Sequence, residues 1–173
     1  MNEKEKKRIL KERANVLRIP KEKNERSGEK IDGLEFLLSE ERYAIDSTCV
    51  SEVILINELT PLPCTPSFVL GIINVRGKIL SVIDIKKFFN LPEKGITNLN
   101  KVIVVKHNDV ELGILADEIF GNITVSLGEL QTKVTTISEA QENFIIGVSK
   151  ERLIMLDIKE LLSNEKIIVN DEV

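Results

Sequence analysis

The chain carries one arrangement of residues twice, and this internal repeat restricts the folds it can adopt more than any other feature. A phenylalanine, a glycine three residues later, an aspartate and a short run of charged and apolar residues occupy positions 68–89 and recur at positions 144–162. The aspartate follows the glycine by 13 residues in the first copy and by 10 in the second. In a chain of 173 residues, such a repeat predicts two small and similar structural units.

The repeat extends upstream of these segments at a constant offset. Tyr43-Ala44-Ile45 aligns with Leu112-Gly113-Ile114 at an offset of 69 residues, and Val50 aligns with Ile119 at the same offset. We therefore predict two similar small barrels of about 65 residues each. The pattern leaves open whether strands are exchanged between the barrels.

The pattern of residues after position 31 is typical of β-structure. Short apolar runs alternate with turn residues, and apolar residues make up 42% of the chain. Isoleucine and valine are abundant, whereas the aromatic residues are six Phe, one Tyr and no Trp. β-Branched residues favour pleated, half-buried surfaces, and many short strands separated by turns are typical of barrels and sandwiches.

The chain divides into four segments by composition. A helix is predicted over residues 3–18, where Leu10, Ala14 and Leu17 share one face, and Pro20 ends it. A charged linker without apolar residues follows. The predicted segments are a basic helical extension and linker (residues 1–30), a first β-barrel subdomain (31–98), a second β-barrel subdomain (99–165) and a C-terminal tail (166–173).

Charge is distributed unevenly along the chain. Residues 1–30 contain 11 Lys and Arg against 6 Asp and Glu, whereas the remaining 143 residues contain 13 against 22. An acidic body with few aromatic side chains repels a phosphate backbone and lacks stacking platforms, so we expect no nucleic-acid partner. The N-terminus lacks the apolar run of a signal peptide, and no apolar run reaches the length of a membrane span. We expect a cytoplasmic protein without direct membrane insertion.

Residue types that bind metals or act as nucleophiles are scarce. The two cysteines, Cys49 and Cys64, and the single histidine, His107, follow no disulfide or zinc spacing. Nucleophilic catalysis needs a base beside the nucleophile, and no glycine-rich phosphate loop opens a long helix. We therefore expect no catalytic residue, no metal site and no cofactor.

Two aspartates occupy equivalent places in the repeat. Asp84 and Asp157 each precede a predicted helical turn, where an aspartate side chain caps free backbone N–H groups. Because the same residue stands at the same place in both halves, capping explains both at once. A hydrolase that uses Asp84 or Asp117 is the weaker alternative.

Two charged residues lie among apolar neighbours. Arg76 links two apolar strands, and its guanidinium either ties the turn together or recognises a partner. The sequence leaves these two roles open. Glu52 alternates with apolar residues, which is typical of the solvent-facing side of a strand.

The longest motif resembles the CheW family of chemosensory adaptors. Gly71-Ile-Ile-Asn-Val-Arg-Gly77 followed by Ser81-Val-Ile-Asp-Ile-Lys86 is similar to the family's Gly-(Val/Ile)-(Ile/Val)-Asn-Leu-Arg-Gly and Pro-Val-Ile-Asp-Leu-Arg. Tyr43-Ala-Ile-Asp46 with Val50-Ser-Glu-Val53, and then Gly113-Ile-Leu-Ala-Asp117, resemble further family motifs in the same order. Ser81 stands where the family usually has Pro, and the apolar pattern is kept. The resemblance runs from about residue 34 to residue 162.

The resemblance implies a mainly β fold and a non-enzymatic function. The implied fold is two five-stranded SH3-like barrels packed around a shared apolar core, with short helices. The implied function is an adaptor that couples the cytoplasmic tips of methyl-accepting chemoreceptors to the regulatory domain of the histidine kinase CheA. An alternative is an auxiliary adaptor of a noncanonical chemosensory pathway that recruits another partner through the N-terminal arm.

The residues matching the family motifs give candidates for the receptor or kinase interface. By resemblance, the candidates on the partner-facing side are Val50, Glu52, Val53, Asn74 and Arg76.

Overall fold

The computed structural model describes residues 28–56, 58–92, 95–97, 99–132, 139–165 and 167. The predicted N-terminal helix and most of the predicted tail lie outside these residues. The described part is built mainly from strands, which confirms the predicted fold class. In chain order, its strands are β1 (Lys30–Leu38), β2 (Glu41–Asp46), β3 (Val50–Leu55), β4 (Val69–Val75), β5 (Lys78–Ile83), β6 (Lys101–His107), β7 (Val110–Ala116), β8 (Glu118–Ser126), β9 (Ile145–Val148) and β10 (Ile154–Leu156).

The described helices are short. The α-helices are α1 (Ile85–Phe88), α2 (Glu139–Glu142) and α3 (Ile158–Ser163), and single 3-10 turns cover Ser47–Cys49 and Leu127–Glu129. Aspartate starts two of the α-helices, because the side chain of Asp84 accepts a hydrogen bond from Lys86 N and that of Asp157 accepts one from Glu160 N. The capping role predicted for both aspartates is confirmed.

The strands form two five-stranded sheets of the same design. Barrel I has the strand order β8-β1-β2-β10-β9, and barrel II has the order β3-β6-β7-β5-β4. In each, one parallel pair lies among antiparallel pairs: β10 with β2 in barrel I and β5 with β7 in barrel II. In each barrel, the segment that follows one edge strand forms a β-bridge with the other edge strand. The bridge joins Gln131 to Val148 in barrel I and Thr60 to Ile72 in barrel II. Each sheet is thereby closed on itself.

Strands are exchanged between the two halves of the sequence. Barrel II is continuous in sequence from β3 to β7, whereas barrel I combines the hairpin β1–β2 with β8, β9 and β10. The predicted boundary between residues 31–98 and 99–165 therefore falls inside barrel II, between β5 and β6. Sequence similarity alone cannot assign each hairpin to a barrel, because Ala44 and Gly113 hold equivalent places in the two hairpins. A three-residue connection after β2 and a one-residue connection after β7 carry the chain into the opposite barrel.

A shared apolar core lies between the barrels, and each barrel also has its own interior. The centre of strand β6, residues 102–105, is an uninterrupted apolar run because it is buried on both faces. Ile103 and Val105 belong to the shared core, while Val102 and Val104 fill the interior of barrel II. Successive side chains point to opposite faces of a strand, so a strand buried on both faces needs an uninterrupted apolar run.

The repeated phenylalanine and glycine have the same structural role in both halves. The carbonyls of Phe68 and Phe144 accept hydrogen bonds from the backbone N–H groups of the two capping aspartates, at 2.7 and 2.8 Å. Both phenylalanine rings also contact Phe88, with centroid separations of 5.2 and 5.5 Å. Gly71 and Gly147 lie where the closing chain segment crosses, and a Cβ atom at either would lie within 3 Å of that segment. The repeat therefore encodes the contacts that close each barrel.

Candidate functional site

An open groove lies on barrel II between strand β3 and the turn that joins β4 to β5. Its volume is about 620 Å³, and acidic, basic and apolar side chains line it together. Leu55 and Ile79 line the groove with 60% and 57% of their surface exposed. Apolar side chains this exposed on one surface are typical of a protein-contact site.

An ion pair crosses this groove. Arg76 Nη2 lies 3.2 Å from Glu52 Oε2. The Arg76 side chain is 84% exposed and that of Glu52 is 27% exposed. Because exposed ion pairs stabilise a fold by about 1 kcal/mol or less, this pair is easily rearranged when another charged group arrives.

The turn that carries Arg76 has an uncommon backbone conformation. Val75 pairs with Lys78, so Arg76 and Gly77 form a two-residue hairpin turn. Their φ angles are 53° and 84°, as in a type I′ turn. Asn74 Oδ1 accepts a hydrogen bond from Gly77 N at 2.8 Å. The guanidinium is therefore presented from a turn that a side chain of the preceding strand holds in place.

The structure brings together three of the five residues proposed from sequence. Glu52, Asn74 and Arg76 line the groove. Val53 is 37% exposed on β3 without lining the groove, and Val50 packs against the shared core. The strand alternation that exposes Val53 also exposes Leu55, so this signal could have identified the apolar part of the groove.

A buried polar cluster lies at the crossing from barrel II to barrel I, away from the groove. Asp117 accepts hydrogen bonds from Lys86 Nζ at 2.5 Å, from Ser39 N at 2.7 Å and from Asn100 Nδ2 at 3.2 Å. Lys86 is 1% exposed and Asp117 is 9% exposed. The polar groups of this cluster are hydrogen-bonded to one another within the fold, so the cluster has a structural role.

The second carboxylate considered for hydrolysis, that of Asp84, is also covered. Asp84 is 4% exposed, and burial raises the pKa of its carboxyl above the usual value, partly offset by the charge of Lys86. Since its oxygen caps α1, this carboxylate has no open face toward a substrate. Neither carboxylate named in the hydrolase alternative lines the groove on barrel II.

Two further searches cover only the described part of the chain. No group of three or more His, Cys, Asp and Glu residues there is placed to hold a metal ion. Among the helices of those residues, none is long and apolar enough to cross a membrane.

The two closed sheets, their common core and the exposed groove define a small two-barrel module with a surface suited to protein contact. The model of the CheW-like domain family matches residues 32–166, and the chain belongs to this family. It is 34% identical over 139 residues to the chemotaxis protein CheW of Treponema pallidum, a match that covers 76% of this chain and 82% of that protein. The identity to CheW of Bacillus subtilis is 30% over 133 residues, covering 77% and 84%.

A solved structure shows the same fold. The crystal structure of the scaffolding protein TtCheW from Thermoanaerobacter tengcongensis superimposes with a TM-score of 0.69 at 30% sequence identity. The match covers 80% of this chain and 91% of that protein. The predicted family is therefore confirmed.

Proposed function

We propose that this protein is a non-enzymatic adaptor in chemotaxis signalling, which couples methyl-accepting chemoreceptors to the regulatory domain of the histidine kinase CheA. Membership of the CheW-like domain family supports this function. The observation that carries it is the exposed groove on barrel II, in which apolar side chains lie beside the Glu52–Arg76 ion pair. Such a protein works in the cytoplasm and reaches the membrane through its partners.

The groove suits a helical partner. An amphipathic helix places its apolar side chains at intervals of three and four residues into a groove of this kind. Leu55 and Ile79 supply exposed apolar surface, and Glu52 and Arg76 supply charges of both signs. Charges of both signs next to an apolar contact favour one orientation of the partner over the reverse.

The remaining candidate residues have different places in this proposal. Val53 extends the contact along β3, whereas Val50 supports the strand from the shared core. Asn74 lies beside Arg76 at the groove. We expect loss of affinity from changes at Glu52 and Arg76, and smaller effects from Val50 and Val53.

Binding titrations against two probes test the proposal. The probes are a receptor cytoplasmic-tip fragment and, separately, the isolated CheA regulatory domain, both from the same organism. We expect saturable binding to both without any cofactor. Arg76→Ala should weaken binding to at least one probe about tenfold, equivalent to about 1.4 kcal/mol, while thermal unfolding remains cooperative.

A second ion pair supplies the matched control. Arg42 Nε lies 3.1 Å from Glu35 Oε1 on barrel I, outside the groove. Arg42→Ala removes a comparable surface pair and should leave affinity for the receptor fragment within twofold. Binding of the wild-type chain to neither probe would overturn the proposed function. If the Arg76→Ala chain fails to fold, the role of Arg76 is instead to stabilise the turn.

A further inference from the structure

Arg76 occupies a backbone conformation that disfavours its side chain. With φ at 53°, it lies in the left-handed region, which costs an ordinary L residue free energy because Cβ crowds the following carbonyl. Two other hairpins of the chain have a residue with similar φ at the same turn position, and there the residues are Ser39 and Asn108. Asparagine is among the residues that best tolerate this conformation, and arginine is not.

The Arg76 side chain gains little within the fold to offset that cost. Within the described residues, the Arg76 side chain makes one polar contact, the ion pair with Glu52, and 84% of that side chain is exposed. Packing of the Arg76 side chain therefore does not hold the turn. The hydrogen bond from Gly77 N to Asn74 Oδ1, at 2.8 Å, is the side-chain contact that does.

We propose that Asn74 is a positioning residue, which fixes the strained β4–β5 turn so that Arg76 presents its guanidinium at the groove to a carboxylate of the bound partner. This inference rests on the proposed function and assigns a specific role to one of its candidate residues. Asn74 acts through Arg76. The affinity for the partner does not depend on a direct contact between Asn74 and the partner. A preset turn avoids the entropy cost of ordering Arg76 when the partner binds.

The chemistry of the guanidinium defines the partner group. Arginine has five N–H donors in a planar fork, which fits the two oxygens of a carboxylate. Glu52 receives one of these contacts, made by Nη2. An Asp or Glu side chain on the partner takes up the remaining donors, so the bound partner places an acidic residue beside this turn.

Three variants of the full chain separate positioning from direct contact. Asn74→Ala removes the acceptor for Gly77 N, and Asn74→Asp keeps it. Asn108→Gly changes the residue of the β6–β7 turn that holds the position of Arg76 in the β4–β5 turn, and it serves as the control for a turn substitution outside the groove. Affinity for the receptor-tip fragment and the CheA regulatory domain is measured for each, together with hydrogen exchange at the Gly77 amide.

We expect Asn74→Ala to weaken binding about fivefold, the factor that corresponds to one hydrogen bond, and to speed exchange at Gly77. Asn74→Asp should bind within twofold of the wild type with slow exchange at Gly77, and Asn108→Gly should bind normally. Wild-type affinity in Asn74→Ala would overturn the inference, and so would a fivefold loss in Asn74→Asp with exchange still slow. If the wild-type chain binds neither probe, the proposed function fails, and this inference fails with it.

Discussion

At the scale of single residues, the two copies of the repeat share residues that make backbone contacts at the barrel closure, rather than residues exposed on the surface. Gly71 lies where the chain after β3 crosses strand β4, and a Cβ atom built there would be 2.2 Å from the carbonyl oxygen of Thr60. Its φ of 150° is also one that residues with a side chain rarely adopt. The first glycine of the longest sequence motif, Gly71, therefore belongs to the closure of barrel II, whereas Arg76 in the same motif faces solvent.

Gly71→Ala should lower the free energy of unfolding by at least about 3 kcal/mol, because the backbone of Thr60 cannot move away without opening the bridge that closes the barrel. Urea denaturation followed by circular dichroism measures the change. Gly77→Ala is the control, since its φ of 84° is also left-handed but no atom lies within 4 Å of its Cβ position. That control should cost about 1 kcal/mol. Equal losses in the two variants would contradict the steric explanation.

At the scale of secondary-structure elements, a buried ion pair ties the two barrels together. Asp117 is the single residue between β7 of barrel II and β8 of barrel I. Its carboxylate bonds to Lys86 in α1, and also to Ser39 N in the turn between β1 and β2. One side chain therefore joins the crossing of the chain to both barrels.

Lys86→Met should lower the free energy of unfolding by about 3–5 kcal/mol, because it leaves the buried carboxylate of Asp117 without its cation. In the double variant Lys86→Met/Asp117→Asn, no charge stays unpaired and the amide oxygen still accepts from Ser39 N. We expect the double variant to be more stable than Lys86→Met alone. Denaturant unfolding of the two single variants and the double variant gives the coupling energy, and strictly additive losses would contradict a direct ion-pair contribution.

At the scale of the whole molecule, the two barrels share one apolar core. Barrel II contains all its strands within residues 50–116, and one of its faces packs into the shared core. Ile103, Val105 and Ile114 of barrel II lie in that core, beside Phe36 and Tyr43 of barrel I. Burial of these side chains stabilises both barrels at once.

A chain of residues 50–116 alone should not fold stably. Exposing side chains such as Ile103, Val105 and Ile114 costs about 2 kcal/mol each, and their sum is comparable to the net stability of a small domain. Poor dispersion of amide resonances and a non-cooperative thermal transition are the expected results, with residues 28–167 as the folded reference. A cooperative transition in the short chain would show that the interior of barrel II is sufficient.

The sequence by itself determined the repeat, the strand-rich fold, the capping role of two aspartates and the family, because each depends on residues close together in the chain or on a linear motif. Of the five interface candidates that the family resemblance gave, the structure brings Glu52, Asn74 and Arg76 to one groove, and their role at an interface stays a prediction. Local patterns suffice for such features, since side-chain periodicity and turn chemistry act over a few residues.

Only the tertiary structure decided which hairpin belongs to which barrel and what Asp117 contacts. The hairpins β1–β2 and β6–β7 have similar patterns, so their strands fit either barrel, and the short connections after β2 and β7 select the exchanged arrangement. Asp117 and Ser39 are 78 residues apart in the chain and meet only when that exchange is made. Contacts of this length depend on how the whole chain packs, and no local pattern encodes them.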